Sequence, residues 1–104
     1  MIKGVYQLLT GKQRSYLKSM ANTMDPIFQI GKGGITANFI RQIDEALEAR
    51  ELIKVNVLNN SPLEAREAAS QLVEEVGAEF VQSIGNKFVI YRESKENKRI
   101  SLPK

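Results

Sequence analysis

Apolar positions fall in blocks along the chain, and the spacing inside each block predicts its element. Tyr16, Leu17, Met20 and Ala21 recur at helical spacing, and Lys12, Arg14 and Lys18 fall off that stripe. Thr10 can accept from the backbone N–H of residue 13 and Gln13 can reach back, a capping-box pattern that starts this first helix. The helix is expected to stop near Asn22, ahead of Asp25-Pro26, because a residue before proline avoids the α region. Pro26 to Ile30 is a short, strongly apolar strand candidate. Gly31-Lys32-Gly33-Gly34 breaks it, and Thr36 caps a second helix to about Arg50 with Phe39, Ile40, Ile43, Ala46 and Leu47 inward. Leu52 to Leu58 alternates as a second strand, with Ile53, Val55 and Val57 on one face and Lys54 and Asn56 on the other.

Asn59-Asn60-Ser61-Pro62 is a turn expected to open a third helix, with Ser61 as N-cap and Pro62 at the first helical position. Leu63, Ala65, Ala68, Ala69, Leu72, Val73 and Val76 mark its buried face, and Gly77 its left-handed end. Glu79 to Ile84 and Lys87 to Tyr91 are strands joined by Gly85-Asn86, a two-residue hairpin pattern. The tail from Glu93 to Lys104 is polar and is expected to fray. The order α-β-α-β-α-β-β predicts one α/β domain: a four-stranded mixed sheet carrying three helices, its last two strands antiparallel.

Composition narrows the chemistry. A chain of 104 residues with 42% hydrophobic and 26% charged residues makes one domain. No apolar run approaches a membrane span, and Met1-Ile2-Lys3-Gly4-Val5 lacks the apolar stretch of a secretory signal. The absence of Cys removes disulfides, thiolate zinc sites and cysteine nucleophiles. The absence of His removes the commonest metal ligand and the usual acid–base side chain. The expectation is a cytoplasmic protein with no cofactor that is not an enzyme.

Charge is segregated. Residues 1–43 carry six bases against Asp25 alone, residues 44–79 nine acids against three bases, and residues 80–104 six bases against two acids. If the two basic ends fold side by side, the surface is polarised and steers toward polyanions.

The glycine loop is where a polyanion would be gripped. Closely spaced glycines let backbone approach a ligand without a Cβ in the way. Consecutive N–H groups in such a loop can form an anion nest, and the following helix start adds partial positive charge. Lys32 adds a formal charge at the tip. The spacing fits neither a P-loop nor a dinucleotide fingerprint, whose third glycine would fall at Thr36. What remains is G-x-x-G, Gly31 to Gly34, the spacing that clamps a nucleic-acid backbone in KH domains, although there it joins two helices. The alternative is a strand-to-helix turn that needs glycine for geometry alone. Lys12, Arg14 and Lys18 are placed beside the loop by the chain path, with Arg41 on the second helix and Lys54 on the second strand as further candidates. Phe28, Phe39, Phe80 and Phe88 fall on apolar faces and read as core, as do Tyr16 and Tyr91, either of which could instead stack a base. Backbone recognition is favoured over base reading.

Five blocks in order resemble the CRM domain (chloroplast RNA splicing and ribosome maturation) in its stand-alone bacterial YhbY-like form. They are Leu9 to Arg14, Gln29 to Thr36, Arg50 to Val55, Val81 to Gly85 and Tyr91-Arg92-Glu93. The resemblance divides the chain into an extension at 1–8, a domain at 9–93 and a polar basic tail at 94–104. It implies a fold like the C-terminal domain of translation initiation factor 3. It implies RNA binding on precursors of the large ribosomal subunit; apart from the resemblance, the expectation is a monomer with no membrane partner. The resemblance places RNA on Gly31, Lys32, Gly33 and Gly34 and on Lys12, Arg14 and Lys18; Thr36, Arg41 and Lys54 are added as candidates from their own positions. It leaves open whether Arg50, Glu51 and Lys54 serve RNA or the fold. Two other readings remain: a Mg²⁺-dependent nuclease or hydrolase using Asp44, Glu48 and Glu51 at helical spacing, or an adaptor that binds protein through its acidic helices.

Overall fold

The computed structural model describes residues 9–104, and the extension expected at residues 1–8 lies outside the described residues. Seven elements follow: α1 (Gly11–Ala21), β1 (Phe28–Ile30), α2 (Ala37–Arg50), β2 (Leu52–Val57), α3 (Ala65–Val76), β3 (Glu79–Ile84) and β4 (Lys87–Tyr91). α1 starts where its capping box directs. Thr10 Oγ1 accepts from the Gln13 N–H and Gln13 Oε1 from the Thr10 N–H, both at 3.1 Å. Thr36 Oγ1 accepts from the Phe39 N–H at 3.1 Å and so fixes where the glycine loop ends and α2 begins.

α3 begins later than Ser61 and Pro62 suggest. Ser61 Oγ is committed to a local turn, accepting from the Leu63 N–H at 3.1 Å. The helix enters at Ala65, where the Glu67 carboxylate accepts from the Glu64 N–H at 2.9 Å. A carboxylate in the first turn also suits the positive end of the helix dipole.

The strands lie in the order β1-β2-β4-β3. β1 runs parallel to β2, Ile30 beside Val57, and β4 runs antiparallel to both β2 and β3. β2 and β3 therefore share a direction, as a connection through α3 requires, but β4 returns between them. A bulge between Phe80 and Gln82 lets β3 keep its pairing with β4.

The sheet separates two apolar clusters. On one face α2 and α3 bury Ile43, Leu47, Ala68, Ala69 and Leu72 against Ile30, Ile53, Val55, Phe88 and Ile90. On the other, Leu17 and Ala21 of α1 pack against Leu52, Val81, Val89 and Tyr91. Tyr91 is thus core, whereas Tyr16 stays 40% exposed. An 11-residue helix is ~16 Å long and cannot roof a four-stranded sheet. Beyond its end at Asn22 the α1 face of the sheet stands open.

The tail is docked rather than frayed. Ser94 and Ile100 are buried, Leu102 packs beside α1, and Gln13 Nε2 donates to the Pro103 carbonyl at 3.0 Å. Its anchor is Glu51, fully buried and carrying a left-handed φ of 69°. The Glu51 carboxylate accepts from the Ser94, Arg99 and Ile100 N–H groups, each at 2.7 Å. Glu48, one turn earlier on α2, accepts from the Ser94 hydroxyl at 2.8 Å and from the Lys95 and Glu96 N–H groups at 3.1 Å.

Candidate nucleic-acid interface

The glycine loop leaves the end of β1 as a tight turn, closed by the Gly34 N–H donating to the Gly31 carbonyl at 3.0 Å. The turn after β2 braces it: the Leu58 N–H donates to the Ile30 carbonyl at 2.8 Å, and a Cβ on Gly34 would lie 3.4 Å from Pro62 Cγ. Gly34 also has φ +66°, so geometry alone demands glycine there. Gly33 is different. It takes no left-handed φ, and a Cβ on it would meet nothing within 4 Å. Gly31 would meet Leu58 and Asn60 only at ordinary contact distances of 3.5 and 3.7 Å. The fold therefore requires one of the loop's three glycines. Lys32 and Gly33 are exposed at the tip, and α2 opens directly behind with no acid in its first turn. Its partial positive charge is left uncompensated.

The basic candidates do not gather round this loop as the chain path suggests. Arg14 is half-buried, with Nε donating to the Phe80 carbonyl at 3.3 Å. Phe80 lies near the start of β3, diagonally across the sheet from Ile30. Glu79 sits there too: burial holds its carboxyl above the usual range, against the Leu9 N–H and the Arg14 charge. Lys12 is exposed on the same first turn of α1. Lys18 is exposed nearer the other end of α1. Lys54 is on an inner strand rather than an edge, half-buried, and its Nζ donates to the Met24 carbonyl at 2.9 Å, tying β2 to the α1–β1 connection. Arg41 is exposed on α2 and bonds Asn38 Oδ1. Gly31 to Gly34, Thr36 and Arg41 thus form one group, and Lys18 and Lys54 a second on the α1 face.

The carboxylates weighed as a metal set have other partners. Asp44 pairs with Arg92 at 2.6 Å, and Glu48 and Glu51 hold the tail. Among the described residues no three acids converge as a metal site. The Glu48 carboxyl is held below its ordinary value by the Lys95 N–H, the Ser94 hydroxyl and the Glu96 N–H. For Glu51, burial pushes upward, but the Ser94, Arg99 and Ile100 N–H groups outweigh it and the net shift is downward.

The CRS1/YhbY (CRM) domain profile matches residues 9–92. The chain belongs to this family. The CRM domain here is 55% identical over 96 residues to "Probable RNA-binding protein YqeI" of Bacillus subtilis, covering 92% of this chain and all of that one. It is 36% identical to an "RNA-binding protein" of Haemophilus influenzae, covering 92% of this chain and 96% of that one. It superimposes on the solution structure of the hypothetical protein SAV1595 from Staphylococcus aureus with a TM-score of 0.76 at 60% identity, over 92% of this chain and all of that one. Among its described residues no helix is long and apolar enough to cross a membrane.

Within the CRM domain, the Arg50–Lys54 block serves the fold at Glu51. Arg92 does similar work unseen in the sequence. Its guanidinium donates to Asp44 Oδ1 at 2.6 Å, to the Asp44 carbonyl at 3.0 Å and to the Val76 carbonyl at 2.9 Å, clamping α2 to the end of α3. The sequence carries it only within the Tyr91-Arg92-Glu93 block, which gives no sign of partners 16 and 48 positions earlier.

Proposed function

We propose that this CRM domain is a noncatalytic RNA-binding protein that associates with rRNA of large-subunit precursors and assists ribosome assembly as a cytoplasmic monomer. The observation that carries RNA binding is Gly33. A residue without a side chain, where neither φ nor packing calls for one, leaves room for something outside the protein. Loop N–H groups at Lys32 and Gly33 then meet phosphate oxygens, the Lys32 ammonium neutralises one phosphate, and the start of α2 adds its partial charge. Thr36 holds that helix start in place. Arg41, Lys18 and Lys54 extend the contact, with Lys12 at its margin, and Arg14 belongs chiefly to the fold. The names of the relatives support the RNA part of this reading; the ribosomal part follows from the family resemblance.

The test is filter binding of a large-subunit rRNA transcript across a salt series, with circular dichroism as fold control. Lys32→Glu with Gly33→Asp is expected to weaken binding about tenfold and to flatten the salt slope by about one phosphate contact. Unchanged affinity and slope would defeat the proposal. In-cell crosslinking with sequencing of the attached RNA is expected to recover precursor large-subunit rRNA, and recovery spread evenly over messenger RNA would remove the ribosomal part.

A further inference from the structure

The open end of the α1 face holds a groove of about 190 Å³, lined by Asn22, Lys54, Gln82, Ile84, Lys87 and Val89. Strand register explains why these residues meet. Lys54, Val89 and Gln82 form one row across β2, β4 and β3, and Lys87 and Ile84 pair in the next. Directly paired residues share a face, and this is the face α1 covers only as far as Asn22. Val89 is the buried floor. Ile84 stands on the rim at 65% exposure, the most exposed of the described large hydrophobic side chains. Neither lysine has a carboxylate partner among the described residues, and no acid lines the groove.

From this geometry we infer that the groove seats one unpaired base of a single-stranded RNA, with its phosphate on Lys87 and Lys54. The inference rests on the RNA-binding proposal and deepens it from backbone grip to base reading. A volume below the ~300 Å³ of a drug-sized pocket suits one flat ring rather than a larger ligand. An aliphatic rim and floor offer that ring an apolar face, and the amides of Asn22 and Gln82 carry the donors and acceptors that distinguish base edges. Two ammonium groups with no carboxylate to neutralise them, Lys54 held by the Met24 carbonyl and Lys87 exposed, suit a nucleotide beside an apolar patch better than a peptide side chain. The groove also opens at the same end of the sheet as the glycine loop: Ile30 is opposite Val57, whose N–H donates to the Asn86 carbonyl of the hairpin. Three strand spacings, ~14 Å, separate β1 from β3. A few nucleotides of one strand reach from loop to groove.

The experiment titrates the full chain, with its Ile δ1 methyls ¹³C-labelled, with 12-nucleotide single-stranded A, C, G and U oligomers and with a 12-base-pair RNA duplex. The Ile84 methyl is expected to move upfield, by the ring current of a stacked base, with at least one single strand and not with the duplex. Asn22→Ala with Gln82→Ala is expected to narrow the affinity spread among the four oligomers at least threefold while leaving the salt slope unchanged. Lys87→Gln is expected to weaken all four and to flatten the slope. If single strands saturate while the Ile84 methyl stays still and the Asn22/Gln82 variant keeps its spread, the groove inference is overturned and the loop proposal stands. If Gly33→Asp leaves binding intact while the groove variants abolish it, the loop reading fails and the groove survives. If no RNA binds, both fall.

Discussion

Glu51 holds a backbone conformation that non-glycine residues seldom adopt, at a cost on the order of 1–3 kcal/mol. What offsets it is the carboxylate, which gathers three backbone N–H groups of the tail in a site closed to water. Hydrogen bonds to a charged acceptor contribute more than neutral ones. Glu51→Gln keeps the shape but turns one of those lone pairs into a donor facing donors. It is expected to destabilise by about 2 kcal/mol, lowering the melting temperature on the order of 10 °C, measured by calorimetry. Glu51→Gly relieves the backbone but loses every tail contact, so it should destabilise as well; a gain in stability would show that strain outweighs the anchor. The same carboxylates set an acid limit. Glu48 and Glu51 titrate lower in the folded state than the ordinary value of 4.5. Their contribution is therefore complete above about pH 4.5. It is lost as pH falls through their depressed folded values. Urea midpoints measured from pH 7 to pH 3 are expected to fall chiefly below pH 4.5, and less steeply in a Glu48→Gln/Glu51→Gln variant.

At the scale of elements, most of the fold was legible because each segment's own residues determine it. Thr10 with Gln13, Thr36, Gly77 and Gly85 mark boundaries through contacts a few residues away. The misjudged features are those decided across the chain or between neighbouring caps. Ser61 is a good N-cap residue, but Glu67 competes for the helix entry and wins by one turn. The tail has few apolar residues and reads as frayed, because its partners Glu48 and Glu51 lie 43 to 49 positions earlier. The insertion of β4 between β2 and β3 likewise leaves no local trace, so the hairpin pattern sets Ile84 opposite Lys87 but the pairing of Lys54 with Val89 across the groove floor was hidden. The candidate site was legible at its loop and blurred around it: Gly31 to Thr36 stay together, whereas Arg14 is diverted to the Phe80 carbonyl. The loop itself yields a paired prediction. Gly34→Ala forces a Cβ into a left-handed residue 3.4 Å from Pro62 and is expected to cost about 1 kcal/mol. Gly33→Ala meets nothing and is expected to leave stability unchanged or raise it by about 0.5 kcal/mol, through a less flexible unfolded chain. Urea denaturation of both variants checks the pair; equal destabilisation would mean that Gly33, too, is required by the turn.

Across the whole molecule the sheet acts as a divider of charge. α1 carries Lys12, Arg14 and Lys18 with no acid, whereas Asp44, Glu45, Glu48, Glu67, Glu74 and Glu75 ride on α2 and α3 behind the other face. The sequence showed the imbalance as a basic–acidic–basic succession, and the three-layer packing converts it into two faces. Helices ~10 Å across and a sheet between them keep the outer faces further apart than the screening length of about 8 Å at physiological salt. Glu74 and Glu75, in the last turn of α3 and at the end of the sheet away from the glycine loop, should therefore repel little an RNA held as proposed on that loop and the α1 face. Neutralising it with Glu74→Gln and Glu75→Gln is expected to change RNA affinity less than twofold at 0.15 M salt. Lys18→Gln with Lys87→Gln, which changes the net charge by the same two units in the opposite sense, is expected to flatten the log affinity against log salt slope by about 1.4, at ~0.7 per single-strand phosphate. Filter binding at several salt concentrations separates the two cases. Equal and opposite effects from the two pairs would mean that net charge alone governs association and that RNA has no preferred face.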